Sequence, residues 1–230
     1  MHIPDGYLGP QTYIPAWVAM APFWAAASAK LQRELRLRQV PLLALGAAFT
    51  FVIMMFNVPI PGGTTGHAVG AVLVAALLGP WAAVIAVSLA LIVQALMFGD
   101  GGITAIGANC LTMAVIMPFV GWGVFRLFGG HATTSPARTL VAGAAAGYIG
   151  LNVAALATAV LFGLQPLLSR DAAGLALHSP FGLGIAVPVM AAEHLLVFGW
   201  VEALVTGLAL VYVRQTMPEL LPTAAPAPPA

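Results

Sequence analysis

Seven apolar runs of helical length dominate the chain and constrain its fold more than any other feature. They cover Tyr13–Ala29, Val40–Asn57, His67–Leu78, Trp81–Met97, Asn109–Leu127, Arg138–Leu161 and Ile185–Tyr212. A helix needs about 20 mostly apolar residues to cross a bilayer, and only the third run is clearly short of that length. Of all residues, 7% are charged, whereas soluble domains are about a quarter charged. The sequence therefore predicts an all-α integral membrane protein, a bundle of about seven transmembrane helices.

The positions of the basic residues predict the orientation of this bundle. Seven of the eight Lys and Arg side chains fall on one side of a seven-span arrangement: Lys30, Arg33, Arg36, Arg38, Arg126, Arg138 and Arg214. Arg170 alone falls on the other side. Because basic residues accumulate in cytoplasmic loops, we expect the N-terminus outside and the C-terminus in the cytoplasm.

The runs form one transmembrane domain, residues 1–215, followed by a tail, residues 216–230. The tail ends in Pro226-Ala227-Pro228-Pro229-Ala230, a low-complexity composition that predicts disorder. A cleaved signal peptide would carry basic residues ahead of its apolar stretch, but residues 1–12 contain Asp5 and no Lys or Arg. We therefore expect the first run to be retained and the mature chain to begin at Met1.

Several function classes conflict with the composition. A formal net charge of +1 disfavours a nucleic-acid partner, which needs a dense basic face. Lys30 is the only lysine, so the chain has neither a phosphate-binding loop nor a lysine in its last run for a retinal Schiff base. Ser88 has no companion histidine in a comparable run, which disfavours an intramembrane protease. Cys110, in an apolar run, is expected to be a buried spectator.

The first two residues offer a metal an unusual set of nitrogens. The α-amine of Met1 and the peptide nitrogen of His2 close one chelate ring, and that peptide nitrogen and Nδ1 of His2 close a second. Three nitrogens then lie in one plane, which suits Ni(II) or Cu(II) better than zinc. His67, in the glycine-rich loop on the same predicted side, is the natural fourth ligand. By themselves Met1 and His2 fit an ordinary frayed N-terminus better than a metal site.

Other polar residues have two interpretations each. Asp100 could orient a ligating histidine as a supporting carboxylate, or could cap the next helix, and Asn109 has the same ambiguity. Glu193, His194 and Glu202 lie in the last apolar run, where ionisable groups tend to be paired or functional. We expect Glu193 near the outer end and Glu202 deeper, between helices. His178 is interpreted as a loop residue.

Three motifs resemble one known family. They are Met1-His2-Ile3-Pro4-Asp5-Gly6-Tyr7-Leu8, Pro61-Gly62-Gly63-Thr64-Thr65-Gly66-His67, and Phe98-Gly99-Asp100-Gly101-Gly102-Ile103-Thr104-Ala105 with Gly107-Ala108-Asn109. In order and spacing they resemble the nickel/cobalt substrate-binding subunits of energy-coupling factor transporters, the NikM/CbiM family. The resemblance covers residues 1–215. It implies a metal site formed by the N-terminal amine of Met1, the amide and side chain of His2, and His67.

The resemblance also implies partners. Such a subunit works in the prokaryotic inner or plasma membrane with a membrane coupling (T) subunit, two cytoplasmic ATPase subunits and, in many relatives, a small additional membrane subunit. Ala44-x-x-x-Ala48 resembles the small-residue motif that docks on the coupling subunit. The transported substrate is expected to be Ni²⁺, with Co²⁺ as the alternative and no organic cofactor. A metal channel or secondary transporter acting alone is the competing interpretation.

Overall fold

In a computed structural model of the chain, which describes residues 1–34, 39–130 and 135–221, seven helices of two turns or more form one bundle. They are α1 Pro10–Glu34, α2 Val40–Met54, α3 Ala71–Leu78, α4 Pro80–Phe98, α5 Ile106–Leu127, α6 Pro136–Gly163 and α7 Leu183–Thr216. A short helix, Gln165–Leu168, follows α6. The strands β1 Val58–Pro59 and β2 Thr65–Gly66 pair antiparallel between α2 and α3. Each predicted run thus contains a helix.

Helices α4 to α7 are long and apolar enough to cross a membrane, and α2 is a shorter apolar helix. The outer face of α7 carries Leu196, Trp200, Leu204 and Leu208, all more than half exposed. These residues recur every four positions, which places them in one stripe along the helix. Such a stripe would be unfavourable in water and is what a lipid-facing surface requires. The chain is a multi-pass helical membrane protein.

The third predicted run is wrong at its first turn, because the helix begins at Ala71 rather than at His67. The segment His67–Gly70 is not helical. Gly70 has a φ of +75°, which ends any helical path there. The carboxylate of Glu202 on α7 accepts hydrogen bonds from Val69 N at 2.8 Å and from Gly70 N at 3.0 Å. These bonds satisfy two buried N–H groups and hold the segment in this non-helical conformation.

Helices α6 and α7 pack at close range through small residues. A Cβ added at Gly143 of α6 would lie 3.1 Å from the Cα of Gly207 on α7, and one at Gly147 would lie 3.0 Å from the carbonyl oxygen of Glu202. Close backbone approach through small residues is the usual way for helices to associate in lipid. This packing fixes the position of α7, and therefore of the Glu202 carboxylate, relative to the rest of the bundle.

The structure describes the first residues of the predicted tail. Helix α7 continues through Thr216, Pro218–Leu220 form a 3-10 turn, and Leu221 is buried. The division into a transmembrane domain, residues 1–215, and a disordered tail, residues 216–230, stays a prediction. The rest of the predicted tail, residues 222–230, and two of the basic residues used for orientation, Arg36 and Arg38, lie outside the described residues.

Candidate metal centre

The N-terminus of the chain is buried inside the bundle. Met1, His2 and Ile3 have at most 2% of their surface exposed. The amine of Met1 donates hydrogen bonds to the carbonyl oxygen of Thr65 and, at 2.9 Å, to its hydroxyl oxygen, Oγ1. The same hydroxyl accepts a hydrogen bond from His2 N at 3.2 Å. Strand β2 therefore holds the first two backbone nitrogens of the chain.

The loop between α4 and α5 and the first turn of α5 fix the next residues. Asn109 contacts Ile3 twice, because its Oδ1 accepts from Ile3 N at 2.9 Å and its Nδ2 donates to Ile3 O at 3.1 Å. Gly102 N also donates to Ile3 O, at 2.8 Å. A Cβ at Gly102 would collide with Asp5 and would lie 2.7 Å from the carbonyl carbon of Pro4. Glycine is therefore required there, and Asn109 holds the N-terminal segment rather than a histidine ring.

Further contacts anchor this segment at its outer end. The carboxylate of Asp5 accepts hydrogen bonds from Ile103 N and from both the N–H and the hydroxyl of Thr104. Nδ1 of His178 lies 3.3 Å from the carbonyl oxygen of Gly6, and Gly9 N donates to Gln165 Oε1 at 3.0 Å. His178 is a loop residue, as predicted from the sequence.

The ring of His2 has one nitrogen bonded and one free. Nε2 lies 3.2 Å from Oε1 of Gln94, while Nδ1 has no hydrogen-bond partner among the described residues. The Nε2 amide group of Gln94 donates a hydrogen bond to the carbonyl oxygen of Phe51, which leaves Oε1 facing the ring. The proton of His2 is therefore assigned to Nε2, and Nδ1 keeps its lone pair. Sequence analysis missed Gln94, although an amide within an apolar run is a usable signal.

His67 shows the same pattern. Its Nδ1 lies 3.0 Å from the carbonyl oxygen of Ala68, and its buried Nε2 has no partner in the part of the chain that the structure describes. The two histidine rings stack, with centroids 4.6 Å apart and an interplanar angle of 24°. Glu202, by holding Val69 and Gly70, fixes the segment that carries His67. The predicted ligands Met1, His2 and His67 are therefore brought together.

Asp100 lies beside Nδ1 of His2, the proposed ligand atom, rather than beside the other ring nitrogen, so its predicted role as a supporting carboxylate stays a prediction. Its Oδ1 is 3.4 Å from Nδ1 of His2, and its Oδ2 accepts a hydrogen bond from Asn57 Nδ2 at 2.8 Å. Burial raises the pKa of this carboxyl group, while the Met1 amine and the Asn57 hydrogen bond act in the opposite direction. Because His2 is neutral, its contact with Asp100 is not an ion pair.

Burial keeps all three ligand groups in their neutral forms. It lowers the pKa of the Met1 amine from 8.0 to about 4, with Asp100 and Glu193 acting in the opposite direction. It likewise lowers the pKa of His2 from 6.5 to about 3, and that of His67 well below 6.5. The lone pairs of these nitrogens are therefore free near neutral pH, which is the state that a metal ion requires.

Four nitrogens can be supplied here: the Met1 amine, the His2 amide, His2 Nδ1 and His67 Nε2. Within the described ranges, no three His, Cys, Asp or Glu side chains lie close enough together to hold a metal ion. An ion bound at the N-terminus would therefore need backbone nitrogen as well as imidazole. All-nitrogen ligation with an amide donor favours Ni(II) and Cu(II) geometry over tetrahedral zinc.

Three helices depart from α-helical geometry close to this centre. The π-helical segments are Gln94–Phe98 in α4, Cys110–Ile116 in α5 and His194–Phe198 in α7. Each begins at, or directly after, a polar residue that is buried: Gln94, Asn109 and His194. Such one-turn π segments are common at functional sites.

Ala44 and Ala48, the predicted docking pair, are exposed on α2. Their small side chains leave the backbone of α2 open to close approach by another helix. Contact with a coupling subunit stays a prediction for this pair.

Fold and site together define a multi-pass helical membrane protein whose N-terminus is folded into the bundle beside two histidines. A family model described as a cobalt uptake substrate-specific transmembrane region matches residues 2–220. The chain belongs to this family. The resemblance deduced from the three sequence motifs is thereby confirmed.

The relatives of the chain are named as metal transport proteins. It is 53% identical to the fused nickel transport protein NikMN of Rhodobacter capsulatus over 230 residues, and 49% identical to the probable fused nickel transport protein LarMN of Lactiplantibacillus plantarum over 220 residues. These alignments cover 100% and 95% of the chain but 66% of each relative. A solved structure of a truncated transition metal transporter matches with a TM-score of 0.89 and 52% identity, over 94% of this chain and 99% of that one.

Proposed function

We propose that the chain is the substrate-binding membrane subunit of an ATP-driven metal importer and that it captures Ni²⁺ at its buried N-terminus. One observation carries the proposal: the Met1 amine, the Nδ1 atom of His2 and the Nε2 atom of His67 are buried together, and neither ring nitrogen has a hydrogen-bond partner among the described residues. Lone pairs buried without partners are costly in an apolar interior. A cation that accepts them offsets this cost.

The neighbouring groups support the same set of ligands. Gln94 holds the proton of His2 on Nε2, and the carbonyl oxygen of Ala68 holds that of His67 on Nδ1. Hydrogen bonds of this kind fix the tautomer and the direction of a metal-ligating imidazole. On binding, the ion would replace the contacts of the Met1 amine with Thr65 and take the place of the amide proton of His2, which would be released to water.

Nickel is favoured over cobalt on two grounds. The planar chelate of amine, amide and imidazole suits Ni(II), whereas Co(II) more readily takes added axial ligands. The relatives named as nickel transport proteins match nearly the whole chain at 53% and 49% identity. The cobalt transport protein CbiM of Acetohalobium arabaticum is 38% identical over 131 residues. Co²⁺ is the alternative substrate.

Coupling to ATP would come from other subunits, because the chain has no phosphate-binding loop of its own. We expect a membrane coupling (T) subunit, two cytoplasmic ATPase subunits and a small additional membrane subunit. The exposed Ala44 and Ala48 on α2 are the proposed contact with the coupling subunit. Binding at the outer face and transport inward follow from the orientation predicted by the basic residues.

Two measurements test this proposal. First, calorimetry should detect Ni²⁺ binding to the purified protein and its loss in His67→Ala, while Glu219→Ala, at an exposed residue after α7, should bind as the wild type does. Second, liposomes that contain the chain alone should not take up Ni²⁺, whereas liposomes with the ATPase and coupling subunits should. Uptake by the chain alone would instead support a self-sufficient channel or secondary transporter.

A further inference from the structure

The π-helical turn of α7, His194–Phe198, interrupts the helix that packs along the segment carrying His67. At the end of the turn, Gly199 N donates a hydrogen bond to the carbonyl oxygen of His194, five residues earlier. This is the bonding pattern of a π-helix. Such a turn holds one more residue than an α-helical turn, so it changes the direction of every side chain that follows it.

Two side chains of α7 pack on glycines of the hairpin formed by β1 and β2. Met190, before the π turn, packs on Gly63, where an added Cβ would lie 2.9 Å from its sulfur atom. The same sulfur accepts a hydrogen bond from the hydroxyl of Thr64 at 3.9 Å. Phe198, the last residue of the turn, packs on Gly66, where an added Cβ would collide with the ring. The hairpin therefore follows one face of α7.

A third side chain of the same helix holds the segment that follows the hairpin. Glu202, after the π turn, accepts hydrogen bonds from Val69 N at 2.8 Å and from Gly70 N at 3.0 Å. His67 lies between this contact and the contact that Phe198 makes with the preceding residue. The position of His67 therefore depends on Phe198 and Glu202 facing the same way.

The π turn allows Met190 and Glu202 to face the same side of α7. Successive residues of an α-helix differ in direction by about 100°, so residues twelve positions apart would differ by about 120°. The extra residue of the π turn makes twelve positions equivalent to eleven, which reduces the difference to about 20°. In a regular helix of this sequence, Met190 could not face the hairpin while Glu202 faces the segment after it.

Helix α6 contacts the π turn directly. The hydroxyl of Tyr148 donates a hydrogen bond to the carbonyl oxygen of Leu195, inside the turn, at 2.9 Å. A Cβ added at Gly199 would lie 2.5 Å from the carbonyl oxygen of His194 and 2.6 Å from Nδ2 of Asn152. Glycine is therefore needed where the wide turn meets α6, and the Tyr148 hydroxyl stabilises the backbone of the turn.

We propose that the π turn of α7 sets the position of His67 for nickel and that Tyr148 is a positioning residue that stabilises this turn, a role that rests on the proposed function. Tyr148 acts through the backbone of α7 and the contacts of Phe198 and Glu202, rather than by contact with the ion. Groups that orient a metal ligand contribute to affinity without binding the metal. One-turn π segments are also common at functional sites.

Nickel calorimetry should compare the wild type with Tyr148→Phe and with Tyr212→Phe, a change at an exposed tyrosine near the end of α7. We expect Tyr148→Phe to bind nickel about three- to tenfold more weakly, which is the contribution of one hydrogen bond between membrane helices. Tyr212→Phe should bind as the wild type does. Wild-type affinity in Tyr148→Phe would overturn the role of that residue.

Two single-residue deletions at exposed apolar positions of α7 test the turn itself. Deletion of Leu196 removes the extra residue, so the helix becomes regular while Met190 and Glu202 keep their common direction. This variant should bind nickel as the wild type does, and adding the deletion to Tyr148→Phe should restore the affinity that the hydroxyl supplied. Deletion of Val201 leaves the turn in place but rotates Glu202 by about 100°, so binding should be lost.

Equal losses of affinity in the two deletion variants would overturn the proposal. So would a Leu196 deletion that fails to fold, by thermal unfolding in detergent, or that fails to restore binding to Tyr148→Phe. His67→Ala separates this role from the proposed function. If His67→Ala abolishes binding and the Leu196 deletion does so too, the centre stands and only the role of the turn is wrong. A wild type that binds no nickel would contradict the proposed function, and this role with it.

Discussion

Glu202 offers the sharpest test of how the bundle positions His67. Its carboxylate accepts hydrogen bonds from Val69 N at 2.8 Å, from Gly70 N at 3.0 and 3.1 Å, and from Thr206 Oγ1 at 3.2 Å, all in a fully buried position. Glu202→Ala leaves two buried N–H groups without acceptors. Each such group costs about 1–3 kcal/mol, so we expect the variant to be destabilised by about 2–6 kcal/mol.

The same change should weaken nickel binding, because Val69 and Gly70 follow His67 directly. Groups that orient a metal ligand typically contribute about 10–100-fold in affinity. Thermal unfolding in detergent and nickel calorimetry measure the two effects. Glu202→Gln keeps an oxygen acceptor and should lose much less of each. Wild-type stability and affinity in Glu202→Ala would refute the reasoning, as would equal losses in the alanine and glutamine variants.

Three other predictions follow from the contacts of the N-terminal segment. Gly102→Ala should displace that segment and lower nickel affinity by about tenfold or more. Gly184→Ala, which has open space for its methyl group, should leave the affinity unchanged. Calorimetry that finds equal affinities in the two variants would contradict the packing around Gly102. Gln94→Leu removes the acceptor that holds the proton of His2 on Nε2 and should lower nickel affinity about tenfold. Unaltered affinity would contradict the assignment of that proton to Nε2. In the folded chain the pKa of the Met1 amine falls from 8.0 to about 4, and that of His2 falls from 6.5 to about 3. Between the folded and the ordinary values the unfolded chain binds more protons than the folded one. The free energy of unfolding should therefore rise with pH in that window. The apo protein should therefore melt at a lower temperature at acidic than at neutral pH, and the opposite trend would disprove the neutral state.

Hydropathy predicted the helices well because apolar length is a local property of the sequence. The α4 helix, for example, spans Pro80–Phe98 where the sequence predicts Trp81–Met97. The start of α3 could not be predicted in this way. Ala68 and Val69 continue the apolar composition of the helix that follows, but the segment stays non-helical because Glu202, far along the chain, accepts the N–H groups of Val69 and Gly70. Only the packing of α6 on α7 brings that carboxylate there.

The proposed ligands at the N-terminus could be named from the sequence, since the chelate needs only an amine and a histidine at adjacent positions. The residues that hold these ligands in place could not be predicted. Asn109 had two interpretations in the sequence, support of the centre or a helix cap, and its contacts are with the backbone of Ile3, which no side-chain pattern encodes. Gln94 is a neutral amide in an apolar run and was overlooked in favour of charged residues. Buried amides in membrane helices are therefore worth weighing alongside carboxylates and histidines.

The central claim is that the N-terminal amine itself binds the metal, and one measurement tests it most directly. Two forms of the protein should be released from a cleavable tag, one that begins at Met1 and one with a single glycine added before it. The first should bind Ni²⁺ and show the visible absorption of planar four-nitrogen nickel. The second moves the amine away from its place beside Thr65 and should lose both binding and absorption. Equal nickel affinity in the two forms would contradict the account.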